Sequence, residues 1–322
     1  MNEFELIGRH FTRAPRDPAV RVGVGDDAAV VRPAAGNELV ISVDMLVEGQ
    51  HFFADVDPSA LGHKTLAVNL SDLAAMGATP RWALLAGALP DNDERWIGAF
   101  AAGLFALAGR FDVELIGGDT TRGPRTFCVT IIGELPQGTA ITRSGAQPGD
   151  DVYVSGTLGD AALGLAALQH RTEIVPEALS ALRARLDTPE PRVALGQRLR
   201  GVASAALDVS DGLVGDLGHI LAASKVGAAI ELAAIPVSPE LARRLASGER
   251  DLALYCALAG GDDYELCFTA PPATRDAIAA IARATALPLA RIGTITRATG
   301  LVVRDERAIP LPALPRAFDH FA

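Results

Sequence analysis

The chain has 322 residues, 49% of them hydrophobic, and a net charge of −10 from 39 acidic and 29 basic side chains. The length suits two domains of roughly 150 residues each. The negative charge disfavours a nucleic-acid partner, and no apolar run approaches the roughly 18 residues that cross a membrane. The acidic N-terminus lacks the basic region of a signal peptide. We therefore expect a cytoplasmic protein with neither a nucleic-acid nor a membrane partner.

The first half of the chain alternates between predicted strands and helices. Strands are expected over residues 39–44, 82–88, 113–116 and 126–134, and helices over 57–76 and 93–109. The stretch from Gly138 to Gly149 is rich in turn residues. We place the domain boundary there, between an N-terminal domain of residues 1–138 and a C-terminal domain of residues 149–322.

The second half repeats this style. Strands are expected over residues 151–154, 205–209, 228–232, 265–269 and 291–296, and helices over 160–170, 191–201, 211–224 and 272–284. This alternation predicts the α/β class, as an α+β arrangement of two domains. Cys128, Cys256 and Cys267 lack the spacing of a disulfide framework or a zinc site, so we expect buried apolar thiols.

Two early motifs place aspartates beside glycines or on strands. The glycine turn over residues 23–29 contains Asp26 and Asp27, and it is either an ordinary turn or a loop that approaches a ligand. Alternation along residues 39–44 puts Ser42 and Asp44 on one face of a strand. They are either a pair of oxygen ligands for Mg²⁺ or part of a solvent-facing edge.

The helix over residues 57–76 carries a third acid. Asp57 before a proline is typical of an N-cap, and Gly77 is typical of a helix stop. Helical spacing places Asp72 on the same apolar stripe as Val68. An unpartnered carboxylate there would be costly, so either Asp72 meets a cation or the predicted phase of the helix is wrong; we favour the cation.

Four further motifs combine glycines, acids and strand ends. Gly117-Gly118 is expected to follow a strand end and to offer backbone amides to a phosphate, with Asp119 beside them for a metal. The loop over residues 155–161 resembles a phosphate cradle in composition but lacks the P-loop lysine. The other two motifs are Asp208-Val209-Ser210-Asp211, where Ser210 is alternatively an N-cap, and Gly260-Gly261-Asp262-Asp263.

Taken together, these motifs favour one kind of chemistry. Short carboxylates at element ends are good ligands for hard cations. Neither a Gly-x-Ser-x-Gly elbow nor an HExxH sequence is present. We therefore predict a nucleotide site with several Mg²⁺ ions, built from Asp27, Asp44, Asp72, Asp119, Asp208 and Asp211.

The runs Asn69–Ala78, Gly117–Gly123 and Gly261–Leu266, with the motifs above, resemble the thiamine-monophosphate kinase family. This family belongs to the superfamily of aminoimidazole ribonucleotide synthetase and selenophosphate synthetase, and the resemblance runs from Phe4 to Phe321. It implies ATP-dependent phosphorylation of thiamine monophosphate to thiamine diphosphate, the last step of thiamine diphosphate synthesis. It also implies a homodimer that pairs through the N-terminal sheets, with ATP near that interface. We expect direct in-line phosphoryl transfer, without a phosphoenzyme.

The resemblance also assigns residues. It implies no catalytic group beyond metal-bound carboxylates. The implied Mg²⁺ ligands are Asp27, Ser42, Val43, Asp44, Asp72, Asp119, Asp208 and Asp211. The implied ATP contacts are Gly118, Asp119, Arg143 and Ser210, and the implied thiamine monophosphate contacts are His51, Asp262 and Phe318.

Three of these positions depart from the family pattern. Val43 stands where a threonine is frequent, so a metal ligand there has to be its backbone carbonyl. Asp262 stands where glutamate is frequent, and its reach is shorter. Phe318 replaces the tyrosine of some relatives, which removes a hydroxyl and keeps a ring for stacking.

Two alternatives belong to other classes. One is a sister enzyme, such as the aminoimidazole ribonucleotide synthetase or the selenophosphate synthetase. The latter would need a reactive cysteine or selenocysteine near the first glycine loop, and none of the three cysteines lies there. A non-catalytic scaffold that only binds nucleotide would be expected to lose several carboxylates, yet all six are present. Both observations favour the kinase.

Overall fold

The structure, a computed structural model, describes residues 3–318. These residues form two compact units. The first unit comprises residues up to 138 except 74–77, and the second comprises residues 74–77 and those from 139 onward. Within the described range, no helix is long and apolar enough to cross a bilayer.

The first unit opens with a short helix, α1, that continues as a π-helical turn over Ile7–Phe11. Its strands are β1 (Val20–Val22), β2 (Val30–Val31), β3 (Asn37–Val47), β4 (Thr79–Leu89), β5 (Glu114–Arg122) and β6 (Thr126–Pro136). Its helices are α1 (Glu3–Leu6), α2 (Pro58–Ala75) and α3 (Glu94–Arg110).

The ends of α2 confirm the predicted caps. The Asp57 carboxylate accepts the Ala60 N–H at 2.8 Å, which satisfies a donor of the first turn. Gly77 stops the helix with a φ of 73°, and the Ala78 N–H donates to the Leu73 carbonyl at 2.8 Å. The helix that carries Asp72 is therefore fixed at both ends by its own sequence.

The first unit is built on a four-stranded sheet in the order β3-β6-β4-β5. Only β4 and β5 are parallel, and β3 and β5 are the two edges. The inner face packs on helices, as when Phe127 of β6 stacks on Phe100 of α3 at 4.3 Å. Alternation places Ser42 and Asp44 among the inward residues of β3, and Leu39, Ile41, Val43 and Met45 are exposed on the outer face.

The expectation that a strand ends before Gly117-Gly118 is wrong. Strand β5 runs through both glycines to Arg122, with a register irregularity opposite Ala83 and Leu84. A Cβ on Gly118 would lie 1.8 Å from the Leu85 carbonyl oxygen, and its φ is +152°. Only glycine allows the two strand backbones to approach so closely at this bulge.

The second unit has the strands β7 (Asp151–Ser155), β8 (Ala205–Val209), β9 (Gly227–Glu231), β10 (Glu265–Ala270), β11 (Leu289–Thr296) and β12 (Gly300–Arg304). Its helices are α4 (Asp160–Leu168), α5 (Pro176–Asp187), α6 (Val193–Leu199), α7 (Leu213–Ser224), α8 (Pro239–Leu245), α9 (Arg250–Ala259) and α10 (Arg275–Thr285). Short 3₁₀ turns cover Leu232–Ala234 and Pro272–Thr274.

The six strands form one sheet in the order β12-β9-β11-β7-β10-β8, antiparallel except for β12 and β9. Every residue of β7, β8 and β10 is buried. The sheet and α7 share one apolar core that includes Val154, Leu207 and Leu217. The loops at the ends of these buried strands are consequently held by a rigid support.

Two smaller expectations need correction. The helix predicted from residue 211 begins at Leu213, with Gly212 in the capping position, so Ser210 is not its N-cap. Cys256 and Cys267 are buried as predicted, but Cys128 is only half-buried, because it lies on the outer face of β6. Burial raises the pKa of all three thiols, to about 12 for Cys256.

Candidate active site

The inner face of β3 meets α2 through polar side chains. The Ser42 hydroxyl donates a short hydrogen bond to the Asp72 carboxylate. The backbone N–H of Asp44 donates to the Asn69 side-chain oxygen at 3.1 Å, and the Asn69 amide donates to the Thr65 carbonyl at 3.0 Å. Ser42 and Asp72 are thus in direct contact, and the backbone of Asp44 is joined to the same helix. Asp72 meets a hydroxyl here, and its predicted cation stays a prediction.

Asn69 is the first residue of the run Asn69–Ala78, and the sequence predicted no role for it. It is fully buried, and its amide joins the backbone of β3 to a carbonyl of α2. This bridge fixes the position of the Asp44 backbone along β3 relative to α2, the helix that carries Asp72. Its position within the Asn69–Ala78 run was the available signal.

A second group of predicted residues lies around a cavity of about 870 Å³ within the first unit. Asp27, Gly118 and Asp119 line it together with apolar side chains that include Phe11 and Leu84. The Asp27 N–H donates to the carboxylate of Asp26 at 2.9 Å, which shapes the glycine turn. Carboxylates beside apolar walls suit a ligand with a charged end and an apolar ring.

These two groups lie toward opposite edges of the sheet. Ser42 and Asp44 belong to β3, Asp119 belongs to β5, and β6 and β4 intervene. Three strand spacings of roughly 4.8 Å separate the edges by about 14 Å, too far for one ion to bind Asp44 and Asp119 of the same chain. Across residues 3–318, no group of three or more His, Cys, Asp or Glu side chains is close enough to hold a metal.

His51 lies in the turn that follows β3. Its Nδ1 accepts the Val47 N–H at 3.0 Å, and its own N–H donates back to the Val47 carbonyl at 2.9 Å. An accepting Nδ1 places the proton of the neutral ring on Nε2. The ring therefore presents a donor, which suits a phosphate oxygen.

The second unit brings four predicted residues together where β8 ends. The Asp262 N–H donates to the Ser210 carbonyl at 2.7 Å, and the Phe318 N–H donates to the Asp211 carbonyl at 3.3 Å. Asp208, within β8, is 7% exposed. The residues assigned to nucleotide and to acceptor are thus hydrogen-bonded neighbours through their backbones. Phe321, at the end of the resemblance, lies outside the described residues.

Asp216 of α7 supports this turn, and the sequence did not predict a role for it. Its buried carboxylate accepts the Asp211 N–H at 3.0 Å. Burial raises the pKa of Asp216 to about 7, because the charged form loses its hydration there. Its spacing of five residues after Asp211 gives no recognisable motif, so sequence reasoning had no signal for it.

Arg143 is exposed on a loop that α7 holds. The Ser224 hydroxyl accepts the backbone N–H groups of Gly145 and Ala146, both at 3.1 Å, and donates to the Arg143 carbonyl at 3.3 Å. The backbone of this loop is therefore anchored, while its guanidinium extends into solvent. A fixed, exposed arginine is suited to a phosphate.

The loop over residues 155–161, which resembles a phosphate cradle in composition, contacts carboxylates of the chain itself. The Gly159 N–H donates to both carboxylate oxygens of Asp263, at 2.9 and 3.0 Å. A Cβ on Gly156 would lie 2.1 Å from the Glu265 carboxylate. Carboxylates of the chain itself occupy the place of an anion, so this loop has a structural role.

The donor chemistry of the predicted ligand set fits Mg²⁺. It consists of carboxylate, hydroxyl and backbone carbonyl oxygens, which are the ligands that a hard divalent cation prefers. The short contact between Ser42 and Asp72 already brings two such oxygens to one point.

Comparison with known proteins identifies the family to which the chain belongs. Residues 25–135 match the family "AIR synthase related protein, N-terminal domain", and residues 147–306 match the corresponding C-terminal domain. The chain is 48% identical to the thiamine-monophosphate kinase of Escherichia coli K12, over 99% of this chain and 98% of that protein. It is 35% identical to the enzyme of the same name from Bacillus subtilis, over all of both chains.

Solved structures of thiamine-monophosphate kinases have the same fold as this chain. The thiamine-monophosphate kinase of Stenotrophomonas maltophilia superposes with a TM-score of 0.86 at 50% identity, covering 94% of this chain and 96% of that one. The structure of AaThiL complexed with AMPPCP and TMP superposes with a TM-score of 0.78 at 30% identity, covering 90% and 89%. The α/β fold class is thereby confirmed, and the chain belongs to the thiamine-monophosphate kinase family of AIR synthase related proteins.

Proposed function

We propose that this protein phosphorylates thiamine monophosphate with ATP and forms thiamine diphosphate. Enzymes named for this reaction match the whole chain, and one relative was solved with an ATP analogue and TMP. The observation that carries the proposal is the 2.7 Å hydrogen bond that joins Asp262 to Ser210. It joins a residue that we assign to the acceptor to a residue that we assign to the nucleotide. We also infer a cytoplasmic location, because ATP is available there.

The reaction we infer is direct in-line transfer of the γ-phosphoryl group to the terminal phosphate of thiamine monophosphate. That acceptor oxygen is already anionic near neutral pH, so no strong general base is required. The transition state is loose and depends on positioning and charge neutralisation. His51 would donate from Nε2 to a phosphate, Asp262 would face the cationic thiazolium, and the ring of Phe318, which is 46% exposed, would stack on the acceptor.

Several Mg²⁺ ions, when bound, would neutralise the charge between the phosphates and the acidic site. ATP brings about four negative charges, and at roughly 4 Å the repulsion between one such charge and a carboxylate costs about 4 kcal/mol at an effective dielectric constant of about 20. The ligands we propose are Asp27, Ser42, the Val43 carbonyl, Asp44, Asp72, Asp119, Asp208 and Asp211. Gly118, Asp119, Arg143 and Ser210 would contact ATP.

We further propose a homodimer that completes this site. The outer face of β3 exposes Leu39, Ile41, Val43 and Met45, at 42, 60, 58 and 53%, a patch that typically marks an interface. Strands β3 and β5 are both edges, each with a proposed metal ligand. Pairing β3 of one chain with β5 of its partner would bring Asp44 close to the partner's Asp119, which the sheet order prevents within one chain.

The activity is tested by measuring thiamine diphosphate formed from ATP, Mg²⁺ and thiamine monophosphate, with free thiamine as the control acceptor. We expect product from the monophosphate only, and activity that is lost without Mg²⁺. Asp72→Asn should fold and lose most turnover, whereas Asp55→Asn, a change of an exposed acid in the loop before α2, should not. Wild-type protein that forms no thiamine diphosphate refutes the proposal.

The pocket assignment has its own test. Phe318→Ala should raise the KM for thiamine monophosphate far more than the KM for ATP. An equal rise in both constants would place the ring elsewhere.

The dimer is tested by mixing two inactive variants, Asp44→Asn and Asp119→Asn, under conditions that exchange subunits. If each site takes Asp44 from one chain and Asp119 from the other, half of the dimers are mixed and each has one intact site. Activity should then return to about one quarter of wild type. No recovery in a sample that light scattering shows to be dimeric would place both ligands in one chain.

A further inference from the structure

The loop between α9 and β10 adopts a backbone that side chains rarely accept. Within four residues, three have positive φ: Gly261 at 73°, Asp262 at 62° and Tyr264 at 50°. Side chains with a Cβ avoid this region, so such residues persist only where their surroundings impose the conformation. Something beyond local preference must therefore hold the residue that we assign to the acceptor.

Backbone contacts with β8 hold one side of this loop. The Asp262 N–H donates to the Ser210 carbonyl at 2.7 Å, and the Tyr264 N–H donates to the Val209 carbonyl at 2.8 Å. A Cβ on Gly261 would lie 2.5 Å from the Ser210 oxygen. These contacts fix the two ends of the strained segment and leave its middle residue, Asp263, to fix the turn.

Asp263 anchors the loop from the opposite side. Its side chain is 3% exposed, and both carboxylate oxygens accept the Gly159 N–H, at 2.9 and 3.0 Å. Gly159 is the capping residue of α4, so the carboxylate also lies at the positive end of that helix. Asp263 and its neighbour Asp262 point to different surroundings, one into the protein and one partly into solvent.

The next acid along the chain makes this anchor point rigid. Glu265 is fully buried and accepts hydrogen bonds from Arg192 Nε at 2.7 Å, Arg185 at 2.8 Å and the Ser155 hydroxyl at 2.6 Å. Arg185 also donates to the Thr157 carbonyl at 3.2 Å. The loop over residues 155–159 is therefore held independently, and Asp263 is attached to a fixed support.

We propose that Asp263 is a positioning residue of the acceptor site, whose buried carboxylate clamps the Gly261–Tyr264 turn to Gly159 and thereby sets the direction of Asp262. This inference rests on the proposed function of Asp262. It explains why a carboxylate that faces away from the site is built into the turn that carries an acceptor contact.

The nucleotide side of the turn does not depend on this clamp. The Asp211 N–H is held by Asp216 at 3.0 Å, from the helix α7. Loss of the Asp263 anchor should therefore release Asp262 and leave Ser210 and Asp211 largely in place. A selective loss of acceptor affinity distinguishes a positioning role from general damage.

The test compares Asp263→Ala and Asp263→Asn with Asp151→Asn. Asp151 is an equally buried acid of the same unit, and it pairs with Arg275 and Arg291 away from the turn. For Asp263→Ala we expect a rise of about tenfold or more in the KM for thiamine monophosphate, because misplacement by ~1 Å is costly. The KM for ATP should change far less. Asparagine keeps one acceptor for Gly159, so Asp263→Asn should show a smaller rise.

Unchanged KM values in a folded Asp263→Ala would overturn the inference. An equal rise in both KM values, or the same selective rise in Asp151→Asn, would do the same. If the alanine variant does not fold, Asp263→Leu, which fills the buried position without an acceptor for Gly159, decides, and an acceptor KM equal to wild type is the refuting result.

Amide hydrogen exchange separates this inference from the proposed function. Asp263→Asn should speed exchange at the Asp262 and Tyr264 N–H groups, and Asp151→Asn should not. Wild-type protein without kinase activity would refute the function, whereas normal exchange at these two amides in Asp263→Asn would refute the clamp.

Discussion

The crossing of α2 and α3 provides a sharp test of how the fold positions Asp72. A Cβ added to Gly103 of α3 would lie 1.9 Å from the Ser59 carbonyl oxygen of α2, and one on Gly62 would lie 2.0 Å from the Phe100 carbonyl oxygen. The helix backbones therefore touch at these glycines. Gly109, in the same helix α3, is exposed and has no neighbour within 4 Å of such a Cβ.

The expected effect of Gly103→Ala follows from these distances. Ordinary van der Waals contact begins near 3.4 Å, so the helices must separate by 3.4 − 1.9 = 1.5 Å at this point. Alanine gains roughly 1 kcal/mol of helix propensity, but forced overpacking costs about 1–3 kcal/mol or more. The two terms leave a net destabilisation of up to about 2 kcal/mol, and we expect a value near that upper end because the obstacle is rigid backbone. Gly109→Ala has only the propensity gain and should stabilise by about 0.5–1 kcal/mol.

The assay is urea unfolding of both variants beside wild type, followed by the Mg²⁺ dependence of kinase activity. Gly103→Ala should lower the unfolding midpoint and raise the Mg²⁺ concentration needed for half-maximal activity, because α2 carries Asp72 away from Ser42. Gly109→Ala should leave the Mg²⁺ dependence unchanged. Equal stability of the two variants would refute the close backbone crossing.

The remaining predictions concern the Asn69 bridge between β3 and α2, the stability of the fold in acid, and the stereochemistry of phosphoryl transfer. Asn69→Ala should raise the Mg²⁺ requirement with little change in the KM for thiamine monophosphate, and an unchanged requirement would contradict the bridge. Hydrogen bonds from Arg275 outweigh burial and lower the pKa of Asp151 in the folded protein. The ion pair therefore stabilises the fold above the pKa of Asp151 in the unfolded chain, and this stabilisation is lost as the pH falls through the lower folded pKa. Asp151→Asn should therefore unfold more easily than wild type at pH 7, and the gap should close in acid; a gap independent of pH argues against the pair. Chiral γ-thiophosphate should be transferred with inversion, and net retention would require a phosphoenzyme.

The sequence predicted those elements whose signals are local. Capping by Asp57 and Gly77 located α2 within a residue or two, and apolar runs located the strands β8 and β10. Helices α5, α8 and α9 and strand β12 were not predicted. Helix α8 and strand β12 are short, with seven and five residues, whereas α9 is mostly apolar and was missed despite its pattern. Strand β5 was ended too early, since glycines are ordinarily read as breaks. Its continuation depends on the Leu85 backbone of another strand, which no local pattern reveals.

The candidate site likewise contains residues that the sequence predicted and residues that it did not. Acids at element ends were recognisable, because each lies beside glycines or on a strand whose alternation fixes its face. The residues that hold them were not, since Asn69, Asp216 and Asp263 act through contacts 25, 5 and 104 positions away in the chain. Sheet order was equally hidden, so the opposite placement of Asp44 and Asp119 could not be foreseen.

The buried acids Asp263 and Glu265 of the second unit differ in their surroundings from the exposed acids Asp27 and Asp119 of the first. Glu265 is buried and is matched by charged donors of the chain itself, because an unmatched buried carboxylate would be too costly. Asp263 is buried with the Gly159 N–H as its donor, and burial raises its pKa well above the usual range. Burial alone would raise the pKa of Glu265, yet Arg192 and Arg185 outweigh it and lower that pKa. Such groups are committed to the fold. Asp27 and Asp119 are exposed beside a cavity, where a hydrated cation can replace water without a folding penalty. If Asp27 and Asp119 bind Mg²⁺ as proposed, their substitution should weaken metal binding and spare the fold, whereas substitution of Asp263 or Glu265 should disturb geometry first.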